Sequence, residues 1–136
     1  MTEPMRSRRN HWNNQVAAHA LMRPNRIALR FQGESTTWAE LADRTERLAD
    51  ALGRRGVEFG DRVLIVMLNR PEYLETVLAI NLLGAIAVPV NFRMTPPEIA
   101  YLVEDSGART IVTEAALAPV VAKVRETVGS IESTVV

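Results

Sequence analysis

Few side chains in this sequence have the type and spacing that catalysis demands. His11 and His19 stand eight residues apart on one side of a helical pattern. Two imidazoles two turns apart cannot chelate one ion, and no carboxylate stands at ligand spacing beside them, so no metal centre is expected. Gly53, Gly56 and Gly60 follow a helical stretch and precede an apolar run. A dinucleotide-binding loop has the reverse order, so these glycines read as stops and turns. There is no cysteine, hence no disulfide, no thiolate ligand and no cysteine nucleophile. No catalytic residue is expected in the chain. The remaining candidates cluster near strand ends. Asn69 either caps a helix or lines a crevice. Arg93, in Asn91-Phe92-Arg93, either pairs with Glu98 or a helix C-terminus or presents its guanidinium to a ligand.

The elements that must position these residues are most legible between residues 60 and 109. Residues 63–68 form a short apolar run suited to a strand buried on both faces. Asn69-Arg70-Pro71-Glu72 supplies a capping side chain, a first-turn proline and an early carboxylate, predicting a helix start. Residues 73–83 are apolar nearly all round, so that helix is expected to be buried, with Gly84 ending it in the left-handed conformation. Residues 86–90 read as the next strand, with Pro89 near an edge or crevice. Thr95-Pro96-Pro97-Glu98 repeats the helix start and Gly107 repeats the stop.

The flanking sequence fills in around this unit. Residues 11–22 predict an amphipathic helix ended by Pro24, and residues 27–31 a strand. Gln32-Gly33-Glu34-Ser35 predicts a turn into a second short strand at Thr36-Thr37. Thr37 and Glu40 form a capping box for a helix whose apolar stripe includes Trp38, Leu41, Leu48 and Leu52. Residues 109–112 read as a third parallel strand, residues 117–128 as a last helix, and residues 131–136 as one more strand. Strands alternating with helices of this length imply parallel pairing through right-handed crossovers. The expected fold is α/β: a mostly parallel sheet with helices on both faces, plus a small hairpin spanning 27–37. Ligands of such sheets lie outside the carboxyl ends of the strands, here residues 67–70, 90–93 and 113–114.

Composition is that of a globular domain, 47% hydrophobic and 24% charged. Sixteen basic residues balance sixteen acidic ones, so net charge points neither to nucleic acid nor to anionic lipid. Arg6, Arg8 and Arg9 precede the polar stretch HWNNQ, which is not a secretory signal, and no apolar run is long enough to span a bilayer. Three arginines without an apolar anchor would hold a membrane only weakly and reversibly. Residues 1–9 read as a frayed terminus and residues 10–136 as one α/β subdomain. A reducing cytoplasm is the expected location, and self-association is left open.

The order GDRV, NRPE, LLGAIAVPVNFR, TPPEI, DSGAR, preceded by Thr36-Thr37-Trp38-Ala39-Glu40-Leu41, resembles the N-terminal part of adenylate-forming acyl-CoA synthetases, with fatty-acid–CoA ligases the nearest in pattern. The resemblance covers roughly residues 10–128. It implies a full-length ligase using ATP, Mg2+ and CoA on a fatty or other carboxylic acid, of which this chain is a leading segment inactive alone. The family's phosphate loop ending in Pro-Lys-Gly, its ribose aspartate and its C-terminal lysine have no counterpart in residues 1–136. The resemblance also implies that Arg93, matching the family's Asn-x-Arg arginine, lies near a phosphate of the CoA nucleotide. A guanidinium suits that task because it keeps a planar, permanently charged fork. Tyr73 and Phe92 either border an acyl tunnel completed by other parts of the enzyme or fill a core. The alternatives are an acyl-AMP ligase or peptide-synthetase adenylation domain serving a carrier protein, and a noncatalytic α/β binding module.

Overall fold

The computed structural model describes residues 11–136; residues 1–10, including Arg6, Arg8 and Arg9, lie outside the described residues. The chain runs α1 (Trp12–Met22), β1 (Ile27–Phe31), β2 (Glu34–Thr37), α2 (Trp38–Arg54), β3 (Arg62–Val66), α3 (Pro71–Leu82), β4 (Ile86–Pro89), α4 (Pro96–Ser106), β5 (Thr110–Thr113), α5 (Ala118–Thr127) and β6 (Ser133–Val135). β1 and β2 form an antiparallel hairpin, and the other four strands form one parallel sheet in the order β4-β3-β5-β6. β3 is therefore central, flanked by β4 and β5, in keeping with its unbroken apolar run.

Alternation along β3 sorts the core into two layers. Val63, Ile65 and Met67 pack with Ala49, Leu52, Ala79 and Ile80 from α2 and α3. Leu64 and Val66 pack on the other face with Ile99, Val103, Val121 and Val124 from α4 and α5. Helices thus cover both faces, and Leu64, Ile65 and Ile111 have no exposed surface. Among the described residues no helix is long and apolar enough to cross a membrane.

Local signals set the boundaries. The hairpin turns at Gln32 (φ 49°) and Gly33 (φ 86°), a two-residue loop whose left-handed pair matches the strand twist. α2 carries the expected capping box, the Thr37 N–H donating to Glu40 Oε2 at 2.7 Å. α4 carries its counterpart, the Thr95 N–H donating to Glu98 Oε2 at 2.7 Å. α4 ends at Gly107 (φ 68°), where a Cβ would stand 2.7 Å from Arg62 Nη2. Arg62 Nε donates to the Ser106 carbonyl at 2.6 Å, satisfying one orphan acceptor of that helix end.

Three expectations need correction. Asn69 is not the cap of α3: Arg70 occupies that position, extended at φ −153°, ψ 162°, and no side chain caps the helix. Pro71 decides this, because a residue before proline is driven out of the helical region, so the cap must be residue 70. Nor is α3 buried all round. Leu82 is 48% exposed, while Glu75 and Thr76 are buried among its apolar neighbours. The expected first helix forms but is not amphipathic: α1 buries no residue completely, and apolar and polar residues are mixed around it.

A candidate site at the carboxyl ends of the strands

Beyond the last residues of β3 and β5 the chain builds a charged network. Glu114 follows β5 directly and is buried; its Oε2 accepts the Leu68 N–H at 2.9 Å, and its Oε1 lies 3.7 Å from Arg70 Nη1. Arg70 in turn grips Glu72 with two parallel bonds, Nε to Oε2 at 2.8 Å and Nη2 to Oε1 at 3.2 Å. That fork holds the Glu72 carboxyl below the usual carboxylate range, and Glu72 raises the Arg70 guanidinium in return. One turn on, the buried Glu75 meets Arg44 Nη1 from α2 at 3.3 Å. Thr113 Oγ1 donates to the Val66 carbonyl at 2.8 Å, tying β5 to β3 at the same edge.

Two clefts open on this network. One of about 530 Å³ has apolar walls from Leu48, Met67, Val112 and Val135, with Arg70 and Glu114 at its polar side. The other, about 300 Å³, lies between the hairpin and the start of α3 and is lined by Gln32, Ser35, Thr36 and Glu40. Arg44, Arg70 and Glu72 border both. Arg44 and Arg70 already face three carboxylates, Glu72, Glu75 and Glu114, so this network is net negative and is not a phosphate cradle. Among the described residues no three histidines, aspartates or glutamates converge as a cation cage.

Arg93 sits apart, in the loop after β4. Its backbone N–H donates to Asn91 Oδ1 at 3.0 Å, which fixes the turn, and its guanidinium carbon lies 5.6 Å from the centroid of the Phe92 ring. It is exposed. The pairing with Glu98 does not form, since both Thr95 groups claim that carboxylate: the N–H at 2.7 Å and Oγ1 at 2.8 Å. These bonds lower the Glu98 pKa, the backbone N–H contributing most.

The other candidates scatter. His11 caps α1, its Nδ1 accepting the Asn13 N–H at 3.3 Å. His19 stacks on Trp38 with ring centroids 4.5 Å apart. Tyr73 packs against the α2–α3 core layer, whereas Phe92 is 38% exposed beneath Arg93. The Arg44–Glu75 and Arg70–Glu114 pairs were not singled out in sequence. Their signal was present: Glu75 interrupts an apolar helix and Glu114 follows a fully buried strand, and a buried charge requires a partner.

Residues 16–136 match the family model described as AMP-binding enzyme. A feruloyl-CoA synthase of an Amycolatopsis species is 44% identical over 93 residues, 68% of this chain and 19% of that protein. The long-chain-fatty-acid–CoA ligase FadD13 of Mycobacterium tuberculosis is 36% identical over 89 residues, 65% of this chain and 18% of that protein. Among solved structures, o-succinylbenzoate–CoA synthetase of Bacillus subtilis, in complex with ATP and a magnesium ion, matches with a TM-score of 0.79 at 29% identity. That match covers 88% of this chain and 32% of the other. The chain spans about a fifth of the length of these curated relatives.

Proposed function

The chain belongs to the AMP-binding enzyme family, and on that premise we propose that it forms the N-terminal portion of an ATP-dependent fatty-acid–CoA ligase. In this reaction a carboxylate oxygen attacks the α-phosphorus of ATP and expels pyrophosphate. The CoA thiol then attacks the acyl carbonyl and expels AMP. The sequence has no phosphate loop ending in Pro-Lys-Gly, and among the described residues no set of carboxylates converges for Mg2+, which supports a reading in which ATP and the metal are held by other parts of the enzyme. The chain contributes a rigid parallel sheet whose carboxyl edge forms one wall around the acyl and thiol sites.

One observation carries the assignment of a role within this wall. Arg93 stands just past a strand end, exposed, and makes no ion pair among the described residues. An uncommitted guanidinium at the ligand-binding edge of a parallel sheet fits a phosphate of the CoA nucleotide.

Expression of the complete downstream reading frame tests the reading. Acid-dependent ATP–pyrophosphate exchange and CoA thioester formation should appear with fatty acids, and neither should appear with the 136-residue chain alone. A full-length protein that releases no pyrophosphate with any carboxylic acid would remove the ligase assignment. Thioester formation with aromatic acids only would overturn the fatty-acid part of it.

A further inference from the structure

Where α1 meets α2 and α3, two buried polar atoms find no hydrogen-bond partner among the described residues: Asn13 Oδ1 and Thr45 Oγ1. Both residues line one small cavity of about 50 Å³, whose other walls are mainly apolar, from Val16, Ala42, Leu78 and Leu82. Thr45 is 4% exposed. The Asn13 carboxamide has a fixed orientation, because its Nδ2 donates to the Leu78 carbonyl at 2.9 Å and leaves Oδ1 as the unpaired acceptor. Nor does the Thr45 hydroxyl bond back to a carbonyl one turn earlier, as a helical threonine commonly does. A polar atom withdrawn from water without a partner is costly, and buried ones are almost always satisfied. Further chain packed on this segment can only deepen the burial, so the demand for a partner persists in a longer enzyme.

We propose that a water molecule is a fixed part of this junction, donating one hydrogen bond to Asn13 Oδ1 and exchanging another with Thr45 Oγ1. The cavity exceeds the roughly 10–15 Å³ that one water needs, and two protein partners are enough to retain it. The chemistry also suits water: an amide oxygen only accepts, a hydroxyl both donates and accepts, and one water molecule can meet both at once. The site matters because apolar burial does little to hold α1, which buries no residue completely. Its polar and aromatic attachments include the Asn13–Leu78 bond and the stack of His19 on Trp38 at 4.5 Å. The water adds a tie from α1 to Thr45 of α2, next to the Arg44 that pairs with Glu75 of α3. The three helices are thereby joined by polar links as well as by packing.

Thr45→Val gives opposite results with and without the water, because valine matches threonine in shape and nearly in helix propensity. With the water bound, the substitution removes one of its partners, and the folded-to-unfolded ratio of the 136-residue chain should fall about two- to tenfold. An unpartnered hydroxyl predicts a variant as stable as the parent or more so. Combined with Asn13→Ala, the loss should be smaller than the product of the two single losses, since either substitution releases the same water. Amide hydrogen exchange in Thr45→Val should quicken along α1 and stay slow at residues 63–66 of β3. A high-resolution crystal structure should show solvent density within hydrogen-bond distance of both oxygens, and xenon under pressure should not enter the site as it enters dry apolar cavities. The proposal is overturned if Thr45→Val costs no stability or if the two substitutions act independently. It is equally overturned if the density shows Asn13 and Thr45 bonded directly to each other or to a further side chain.

Discussion

Glu114, the first residue past β5, accepts the backbone N–H of Leu68, two residues past β3, at 2.9 Å through a carboxylate only 8% exposed. The bond does with a side chain what a ladder hydrogen bond does within the sheet, and so carries the β3–β5 register past the ends of both strands. Removing it should leave a donor unpaired beside a guanidinium that has lost one of its two carboxylates. Glu114→Ala should therefore cost about 1–3 kcal/mol in denaturant unfolding. Glu114→Gln, whose amide oxygen still accepts from Leu68, should cost less. Equal losses for the two variants would show that the bond itself contributes nothing.

Leu78 is 2% exposed in α3, and its carbonyl accepts the Asn13 side-chain amide at 2.9 Å, so α1 leans on the same turn that fills the core beneath α2. Leu78→Ala should cost about 2–5 kcal/mol through lost transfer energy and the cavity left behind. A loss under about 0.5 kcal/mol would mean that the three helices close over the gap and that this side of the sheet is loosely held.

Features determined by nearest neighbours in the chain were readable from sequence, and features determined by distant partners were not. The Thr37–Glu40 and Thr95–Glu98 boxes each join residues three positions apart, and both form. The run in β3 announced burial on two faces, and β3 lies between β4 and β5. Asn69 misled because two local rules competed there, and the proline fixed the cap one residue later. In the charged network, Glu75 and Glu114 signalled a need for partners, but which partners they would meet lay beyond reach. Arg44 and Glu75 are 31 residues apart, Leu68 and Glu114 are 46 apart, and only the crossover topology brings them to one edge. Exposure of α1 was equally hidden, because how much of a helix is covered depends on elements distant in the chain.

The two capping boxes predict a pH dependence with a definite sign. Backbone N–H bonds from Thr37 and Thr95 lower the pKa of Glu40 and Glu98 below the ordinary value of 4.5. A carboxyl whose pKa is lower folded than unfolded stabilises the fold fully above the unfolded value, and that contribution disappears as pH falls through the folded one. Thermal stability should therefore decline in acid below about pH 4.5, with no change from these groups near neutrality. The Glu40→Gln/Glu98→Gln variant should be less stable at pH 7 and show a flatter acid limb when melting temperature is followed against pH. An acid limb as steep as the parent's would assign acid sensitivity to other carboxylates, Glu72 being the next candidate through its bond to Arg70.

Arg93 offers the sharpest test of the ligase reading. Its side chain lies over the Phe92 ring while the Asn91 carboxamide pins its backbone, so the guanidinium is placed without being neutralised. In the full-length enzyme Arg93→Ala should weaken thiol transfer more than acyl-adenylate formation. One charge-assisted contact is worth roughly 1.5–3 kcal/mol, so apparent CoA affinity should fall about ten- to a hundredfold. Arg93→Lys should recover part of that loss, since it restores charge but not the two-pronged geometry. Dephospho-CoA separates phosphate recognition from a general effect, because it lacks the phosphate that the arginine is proposed to meet. The parent enzyme should prefer CoA over dephospho-CoA and Arg93→Ala should erase that preference. A variant that loses affinity for both thiols alike, or slows adenylation alone, would make Arg93 a residue that shapes the β4–α4 loop and would remove it from the CoA site.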